Sequence, residues 1–112
     1  MPGPTNRALY EILVPTVKDA AKGKYYTTRY HKTFDAKVIK ISGGLTILTP
    51  VKGQWVSVAG ELFTERMIPV RIACTEEEIN KISDIVASHY NQLAVFFYRI
   101  SDCVVIKQYP KD

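Results

Sequence analysis

The stretch TEEEINKISDIVASHYN, residues 75–91, decides the fold because it predicts an amphipathic helix with both ends marked. Thr75 followed three residues later by Glu78 is a capping box, and three successive glutamates suit the positive end of a helix dipole. Asn91 is a residue type that can end the helix. The apolar residues then recur at helical spacing and form one stripe: Ile79, Ile82, Ile85, Val86 and Tyr90.

Another helix is predicted upstream, over residues 31–42. Thr33 or a neighbour can cap its start, and Gly43-Gly44 can adopt the left-handed conformation that ends it. Its apolar residues lie on one helical face: Phe34, Val38 and Ile41.

Strands are predicted around these helices from apolar alternation and turn residues. They cover residues 8–17, 45–49, a hairpin of 54–57 with 61–64, a strand from 65 to the capping box, 93–99 and 103–108. Pro69 indicates an edge strand or a bulge, and residues 18–30 indicate a long loop or a flexible hairpin. The order predicts a ferredoxin-like βαββαβ α+β sandwich, with two helices on one face of an antiparallel sheet and an extra C-terminal strand.

The chain of 112 residues is long enough for one domain, which we place at residues 8–112 after a flexible start at residues 1–7. Its 46% hydrophobic and 23% charged residues are typical of a globular protein and exclude a disordered chain. Cys74 and Cys103 fit no metal spacing, so we expect both to be reduced and buried. We expect a cytoplasmic location, no cofactor and no metal ion, because no membrane span, signal peptide or cofactor motif is recognised.

Three glycine-containing pieces resemble the core signature of an uncharacterised family of small bacterial domains. They are Gly43-Gly44-Leu45-Thr46-Ile47-Leu48, then Gly53-Gln54-Trp55, then Gly60-Glu61-Leu62 followed by Glu65. In that family a helix ends in a glycine, a GLTVL-like strand follows, and a G-x-W…G…E pattern comes next. The resemblance covers residues 31–75 and implies the fold alone, since the family has no known activity to carry over.

The segment KGKYYTTRYHK, residues 22–32, is the main candidate for a ligand site because it combines four cations, three tyrosines and a histidine with no acid. Cationic side chains bind phosphate, tyrosine rings stack on bases, and the start of the following helix attracts anions. The candidate ligand-binding residues are Lys22, Lys24, Tyr25, Tyr26, Thr28, Arg29, Tyr30, His31 and Lys32. A solvated hairpin whose tyrosines pack on the sheet, or a protein interface, would explain the same pattern.

A second surface is expected on the sheet face opposite the helices, where dimerisation would hide apolar side chains. The residues expected there are Trp55, Phe63, Met67 and the aromatic residues among 96–98. Charged residues at neighbouring strand positions would form cross-strand pairs or a network there: Glu61, Glu65, Arg66 and Arg71.

We therefore interpret the protein as a small non-enzymatic binding protein, a homo-oligomer that holds an anionic nucleotide-type ligand. Sequestration of a signalling nucleotide, as small phage counter-defence proteins do, is one task that such a scaffold performs without chemistry. Two alternatives stay open. One is a protein-interaction or structural subunit, and the other is an RNA- or nucleotide-processing enzyme with His31 or an acid as its base.

Overall fold

The computed structural model describes residues 7–19 and 22–111, so the expected flexible start lies outside the described residues except for Arg7. Two helices and seven strands follow in chain order. They are β1 (Ala8–Pro15), β2 (Val17–Asp19), β3 (Lys24–Tyr25), α1 (Thr28–Ser42), β4 (Thr46–Ile47), β5 (Val51–Val56), β6 (Leu62–Cys74), α2 (Glu76–His89) and β7 (Phe97–Ser101).

The main sheet is antiparallel, with β6 and β1 at its centre. Its strand order is β4-β6-β1-β7, and β5 pairs with β6 along the half of that strand that extends beyond β1. The chain therefore forms the predicted ferredoxin-like α+β sandwich, in which the second strand is split into β4 and β5. The insertion between β1 and α1 is the short hairpin of β2 and β3.

Both helices cover one face of this sheet, and the core lies between the helices and the sheet. Alternate residues of β1 point into it because successive side chains of a strand face opposite ways. The buried core consists of Ala8, Tyr10, Ile12 and Val14 from β1, Val70, Ile72 and Cys74 from β6, Phe34 and Val38 from α1, Ile79, Ile82 and Val86 from α2, and Tyr90. Both helical stripes read from the sequence are thus confirmed.

Pro69 lies in a central strand, so its interpretation as a mark of an edge strand is wrong. The alternative, a bulge, agrees with the register, which shifts by one residue between the Ile47–Val70 pair and the Val51–Met67 pair. The Pro69 carbonyl accepts the Leu48 N–H at 2.9 Å, so its backbone nitrogen faces the same side of β6. On that side β4 ends at Ile47 and β5 begins at Val51. A proline is tolerated there because the missing N–H falls at the gap between two partner strands.

Helix α1 begins at Thr28, earlier than residue 31, and its N-cap is Thr27. The Thr27 hydroxyl accepts the Tyr30 N–H at 3.1 Å, whereas the Thr33 hydroxyl donates to the Arg29 carbonyl within the helix. The prediction of Thr33 as the cap is therefore wrong, although a neighbouring residue was allowed. The end of the helix is as predicted, because Gly43 adopts φ 88° and its N–H bonds the Ile39 carbonyl.

Helix α2 confirms the capping box in both directions. The Glu78 N–H donates to the Thr75 hydroxyl at 3.1 Å, and the Thr75 N–H donates to the Glu78 carboxylate at 2.9 Å. The last helical residue is His89, and Asn91 follows with φ 52°. The left-handed residue after the helix is therefore the predicted one.

The chain after α2 is less regular than the sequence predicts. The strand expected over residues 93–99 is shifted, because Leu93 is fully exposed and β7 begins only at Phe97. The extra strand expected over residues 103–108 is absent. Residues 102–111, which we call the tail, contain no helix or strand.

A local turn explains why the tail leaves the sheet. The Ser101 hydroxyl accepts the Cys103 N–H and donates to the Cys103 carbonyl, both at 3.1 Å, so these groups are satisfied without a ladder. Cys103 is consequently exposed. Both cysteines are free, as predicted, but the expectation of burial is confirmed only for Cys74.

Candidate functional site

The candidate segment, residues 22–32, spans the β2–β3 hairpin and the start of α1. Lys24 and Tyr25 form β3, where Tyr25 lies opposite Val17. Thr28 and Arg29 open the helix, and Lys32 lies one turn further along it. All five of the residues just named from the segment are exposed, as is Lys22 in the hairpin turn.

The other aromatic residues of the segment serve to dock α1 on the end of α2. Tyr26 stacks on Tyr30 with ring centroids 5.0 Å apart, and it packs edge-on against Tyr90 at 4.9 Å. The Tyr26 hydroxyl donates to the Tyr90 carbonyl at 2.7 Å, and the Tyr30 hydroxyl donates to the His89 carbonyl. Two of the three tyrosines therefore have a packing role, but they pack on the end of α2 and not on the sheet, where the alternative interpretation of the sequence placed them.

Tyr90 is the centre of this docking cluster, and His31 is its polar partner. Tyr90 is completely buried, and burial raises the pKa of its phenol, so the hydroxyl stays protonated. His31 Nδ1 lies 2.7 Å from that hydroxyl, so the two groups share a hydrogen bond. Burial lowers the pKa of His31, with His89 acting in the same direction and Asp35 opposing.

The cations of the segment are separate from the docking cluster. Lys24, Arg29 and Lys32 make no ion pair with any carboxylate of the described residues. Arg29 and Lys32 are three residues apart on one helix and are therefore surface neighbours. Tyr25, with 66% of its surface exposed, is the one tyrosine of the segment whose ring is mostly open to solvent.

The first turn of α1 is electropositive without compensation from the chain. It contains no acidic residue, and Arg29 occupies its second position. The N–H groups of Thr28 and Arg29 have no acceptor among the described residues, since the Thr27 hydroxyl and carbonyl accept from Tyr30 and His31. Unpaired N–H groups and a positive dipole end make this turn a favourable position for an anion.

Sequence reasoning missed a polar cluster on the sheet face opposite the helices, which we call the open face. Glu11 lies directly opposite both Arg71 and Tyr98 in the sheet register. Its carboxylate accepts the Arg71 Nε–H at 3.0 Å and the Tyr98 hydroxyl. Glu11 is 7% exposed, and the signal for it was a single acid within the otherwise apolar strand ALYEILVP.

The expected charge network among Glu61, Glu65, Arg66 and Arg71 does not form within the described residues. Only Arg71 of these four makes an ion pair, and its partner is Glu11. Two of the aromatic residues expected on this face, Trp55 and Phe63, lie opposite each other with stacked rings 4.7 Å apart.

Residues 22–32 do not line either of two grooves found elsewhere on the described surface. The larger, of about 560 Å³, lies at the start of α2 and contains Arg99 with its partner Asp102. The smaller, of about 330 Å³, lies where the α1–β4 turn meets the open face. The candidate segment is therefore an exposed electropositive surface at a helix start.

Solved structures with the same fold cover most of the chain. It is similar to the divalent cation tolerance protein CutA1 from Thermus thermophilus, with a TM-score of 0.61 and 10% identity over 93% of this chain and 87% of that one. The periplasmic divalent cation tolerance protein CutA from Archaeoglobus fulgidus gives a TM-score of 0.55 and 14% identity over 94% and 88%. A phage SAM lyase in complex with S-methyl-5′-thioadenosine gives 0.65 and 14% over 97% and 92%.

At these identities the likeness establishes the ferredoxin-like α+β fold and no more. No family model and no curated protein matches the chain, so the resemblance to a family of small bacterial domains stays a prediction. The expected cytoplasmic location also stays a prediction. Among residues 7–19 and 22–111, neither helix is long and apolar enough to cross a membrane. The same residues contain no group of three or more His, Cys, Asp or Glu side chains that could hold a metal ion.

Proposed function

We propose that the protein is a small homo-oligomeric binding module that holds an anionic, nucleotide-type ligand at the start of α1. The observation that carries this proposal is the first turn of α1, which presents Arg29 and two unpaired N–H groups and contains no acid. A cation at the positive end of a helix dipole costs stability unless an anion compensates it. A ligand phosphate would provide that compensation.

The neighbouring side chains fit the rest of a nucleotide. Lys32 lies on the helix surface beside Arg29, and Lys24 lies in β3, in the hairpin that precedes the helix. The exposed Tyr25 ring offers a face on which a base can stack, which contributes about 1–3 kcal/mol per base in single-stranded complexes. This combination favours a ligand with both a phosphate and an aromatic ring over an inorganic ion.

The fold supports a nucleoside-containing ligand as well. The phage SAM lyase with this fold is seen in complex with S-methyl-5′-thioadenosine, a nucleoside derivative. A ferredoxin-like sandwich of this size therefore has room for a nucleoside in at least one protein. The protein would then sequester a nucleotide without any chemical step. In the most specific form of this function, it is a phage counter-defence protein that holds a signalling nucleotide.

A thermal-shift experiment with matched ligands tests this proposal. ADP, ATP and a cyclic dinucleotide are compared with adenosine, which has the base and sugar but no phosphate. Ligand at about 100 times its dissociation constant adds about 2.7 kcal/mol to the free energy of unfolding, so a binding nucleotide raises the melting temperature by several degrees. We expect a rise with one or more of the nucleotides, a smaller rise at high salt and none with adenosine.

The variants Arg29→Gln and Lys40→Gln provide the control. Each removes one positive charge from an exposed position of α1, but Arg29 lies at its start and Lys40 in its last turn. We expect Arg29→Gln to abolish the ligand-induced rise and Lys40→Gln to retain it. Equal behaviour of the two variants, or no shift with any nucleotide, would remove the support for the proposal.

A second candidate function, that of an interaction subunit, is favoured by the arm formed by β5 and the first half of β6. β1 ends opposite Met67, so among the described strands residues 62–66 pair only with β5. One further contact is the Thr16 hydroxyl, which donates to the Arg66 carbonyl at 2.7 Å. A two-stranded ribbon is marginally stable in water. The arm nevertheless exposes large apolar side chains: Trp55 49%, Val56 63%, Leu62 62% and Phe63 37%. A second copy of the chain packed on this arm would account for both features.

Light scattering on the purified protein tests this self-association. We expect an oligomer for the wild type and a monomer, or a much weaker oligomer, for the double variant Trp55→Ser/Phe63→Ser. The matched control is Tyr109→Ser, which removes an exposed ring from the tail and leaves the arm intact. A wild type that is monomeric at every concentration would exclude self-association through the arm.

A further inference from the structure

The smaller groove has the composition of an anion site and lies at the opposite end of α1 from the proposed nucleotide contact. It contains two arginines, Arg7 and Arg71, and none of its lining residues is acidic. We propose that this groove binds a small organic anion through its carboxylate or phosphate group. The proposal does not depend on the function assigned to the start of α1.

The side chain of Arg71 is held in place by Glu11. Its Nε–H donates to Glu11, whose other oxygen accepts from Tyr98, so one side of the guanidinium is fixed by a nearly buried carboxylate. The terminal amino groups of Arg71 have no acceptor among the described residues, and 44% of the side chain is exposed. Their planar pair of donors suits a bidentate contact with a carboxylate or a phosphate.

Arg7 supplies the second charge. It makes no ion pair with any carboxylate of the described residues, and it lines the groove together with Arg71. Arg7 also lines the larger groove, beside Glu76 and Glu77, whereas Arg7 and Arg71 are the only charged residues among those that line the smaller groove. A bound anion would offset the repulsion between the two arginines.

The α1–β4 turn also lines the groove. Gly43 adopts φ 88°, and the Leu45 N–H has no acceptor among the described residues. The carbonyl end of the α1 dipole opposes an anion here. Two of the last-turn carbonyls are already bonded, however, since the Ser42 hydroxyl donates to Val38 and the Gly43 N–H to Ile39. The remaining half-charge of the dipole is smaller than the one net positive charge of the two arginines and Glu11 together.

The apolar part of the lining indicates the body of the ligand. Leu9 and Ala73 lie opposite each other on the open face, and Ile106 from the tail also lines the groove. A purely inorganic ion would leave these side chains against water. An anion with a small apolar body, such as an aromatic or aliphatic acid or a phosphate monoester, uses both parts of the groove.

Titration followed by amide NMR tests the site directly. The probes are phenyl phosphate and benzoate, which share a ring and differ in the anionic group, with inorganic phosphate and benzyl alcohol as the anion-only and ring-only controls. We expect saturable shifts of the Gly43, Gly44 and Leu45 amides with phenyl phosphate or benzoate, and weaker effects of both controls. The better of the two probes identifies the group that the arginines prefer.

Three variants decide whether the arginines are responsible. Arg7→Gln and Arg71→Gln are each expected to weaken binding by about tenfold or more. Arg66→Gln, which removes an exposed charge from the same strand as Arg71, is expected to leave binding unchanged. Because Arg71→Gln leaves Glu11 without its cation and can unfold the protein, Arg7→Gln is the decisive variant. No saturable shift with either probe, or equal affinity in Arg7→Gln and the wild type, would overturn the proposal.

Discussion

The two helices of this protein begin in opposite ways. Both have a threonine N-cap whose hydroxyl accepts the N–H three residues on. At the second helical position, however, α2 has Glu77 between two further acids, whereas α1 has Arg29 and no acid in its first turn. The first turn of α2 is therefore neutralised by its own residues, and that of α1 is left positive.

This difference shows that the two helix starts are stabilised by different means. The capping box and three carboxylates stabilise α2 locally. The start of α1 is stabilised through packing, because Tyr26, Tyr30 and His31 contact the last residues of α2 and the tyrosine that follows it. A helix with a cation and no acid in its first turn goes against the preference set by the helix dipole. Because tertiary contacts hold α1 in place, its first turn can retain that cation for a ligand.

The largest effect is expected where packing holds the start of α1. Tyr90→Ala removes a completely buried ring together with the partner of His31, and should lower the free energy of unfolding by about 3–5 kcal/mol. Urea unfolding measures the loss. The exposed ring of Tyr25 is the control, since Tyr25→Ala should change stability by less than about 0.5 kcal/mol. Similar losses in the two variants would mean that the aromatic cluster does not stabilise α1.

Removal of either N-cap should have the next largest effect. Thr75→Ala and Thr27→Ala each lose a hydroxyl that accepts a backbone N–H, at a cost of about 1 kcal/mol. Aspartate substitutions at the two N-cap positions should affect the stability of the protein differently. Thr27→Asp adds an acid to a turn that has none and should stabilise the protein, whereas Thr75→Asp adds a fourth acid and should not. Equal melting temperatures for the two Asp variants would argue against the difference between the helix starts.

Charge reversal at the second position of each helix also tests the difference between the two helix starts. Arg29→Glu should raise the stability of the ligand-free protein, and Glu77→Arg should lower it, each by about 0.3–1 kcal/mol at low salt. Glu77 also pairs with Lys81 at 3.4 Å, so Lys81→Gln measures how much of its loss comes from that pair. A loss of stability in Arg29→Glu would show that Arg29 has a structural role that the contacts do not reveal.

The smallest expected effect is the pH dependence of stability that comes from His31, near the start of α1. Burial lowers the pKa of His31 in the folded state, so the unfolded chain binds a proton more readily than the folded one. The stability that His31 contributes is therefore present above its unfolded pKa of about 6.5 and is lost as the pH falls through the lower folded value. In His31→Asn, whose side-chain amide can hydrogen-bond the Tyr90 hydroxyl but does not titrate, melting temperatures should fall less between pH 8 and pH 5 than in the wild type.

The architecture was predictable because its signals are local. The capping box, the apolar stripes of both helices and the left-handed Gly43 and Asn91 each lie within a few residues. The errors arose where a distant partner decides. Pro69 is tolerated by a gap between two other strands, and the apolar tail has a strand-like composition but pairs with no strand of the described sheet.

The candidate site was predictable only as a set of residue types. The sequence identified the cations and rings of residues 22–32, but it could not distinguish Tyr26 and Tyr30 from Tyr25. That distinction depends on Tyr90 and His89, which lie about sixty residues further along the chain. The cluster of Glu11, Arg71 and Tyr98 was missed for the same reason, since only the sheet register brings the three together.

The most direct test of the central claim, that the positive first turn of α1 receives the ligand, is an amide NMR titration with the nucleotide that gives the largest thermal shift. We predict that the largest chemical-shift changes fall on Thr28 and Arg29, whose N–H groups have no acceptor in the described chain, and that they vanish in Arg29→Gln. Changes that leave these two amides unaffected and cluster at the start of α2 or in the smaller groove would contradict the claim.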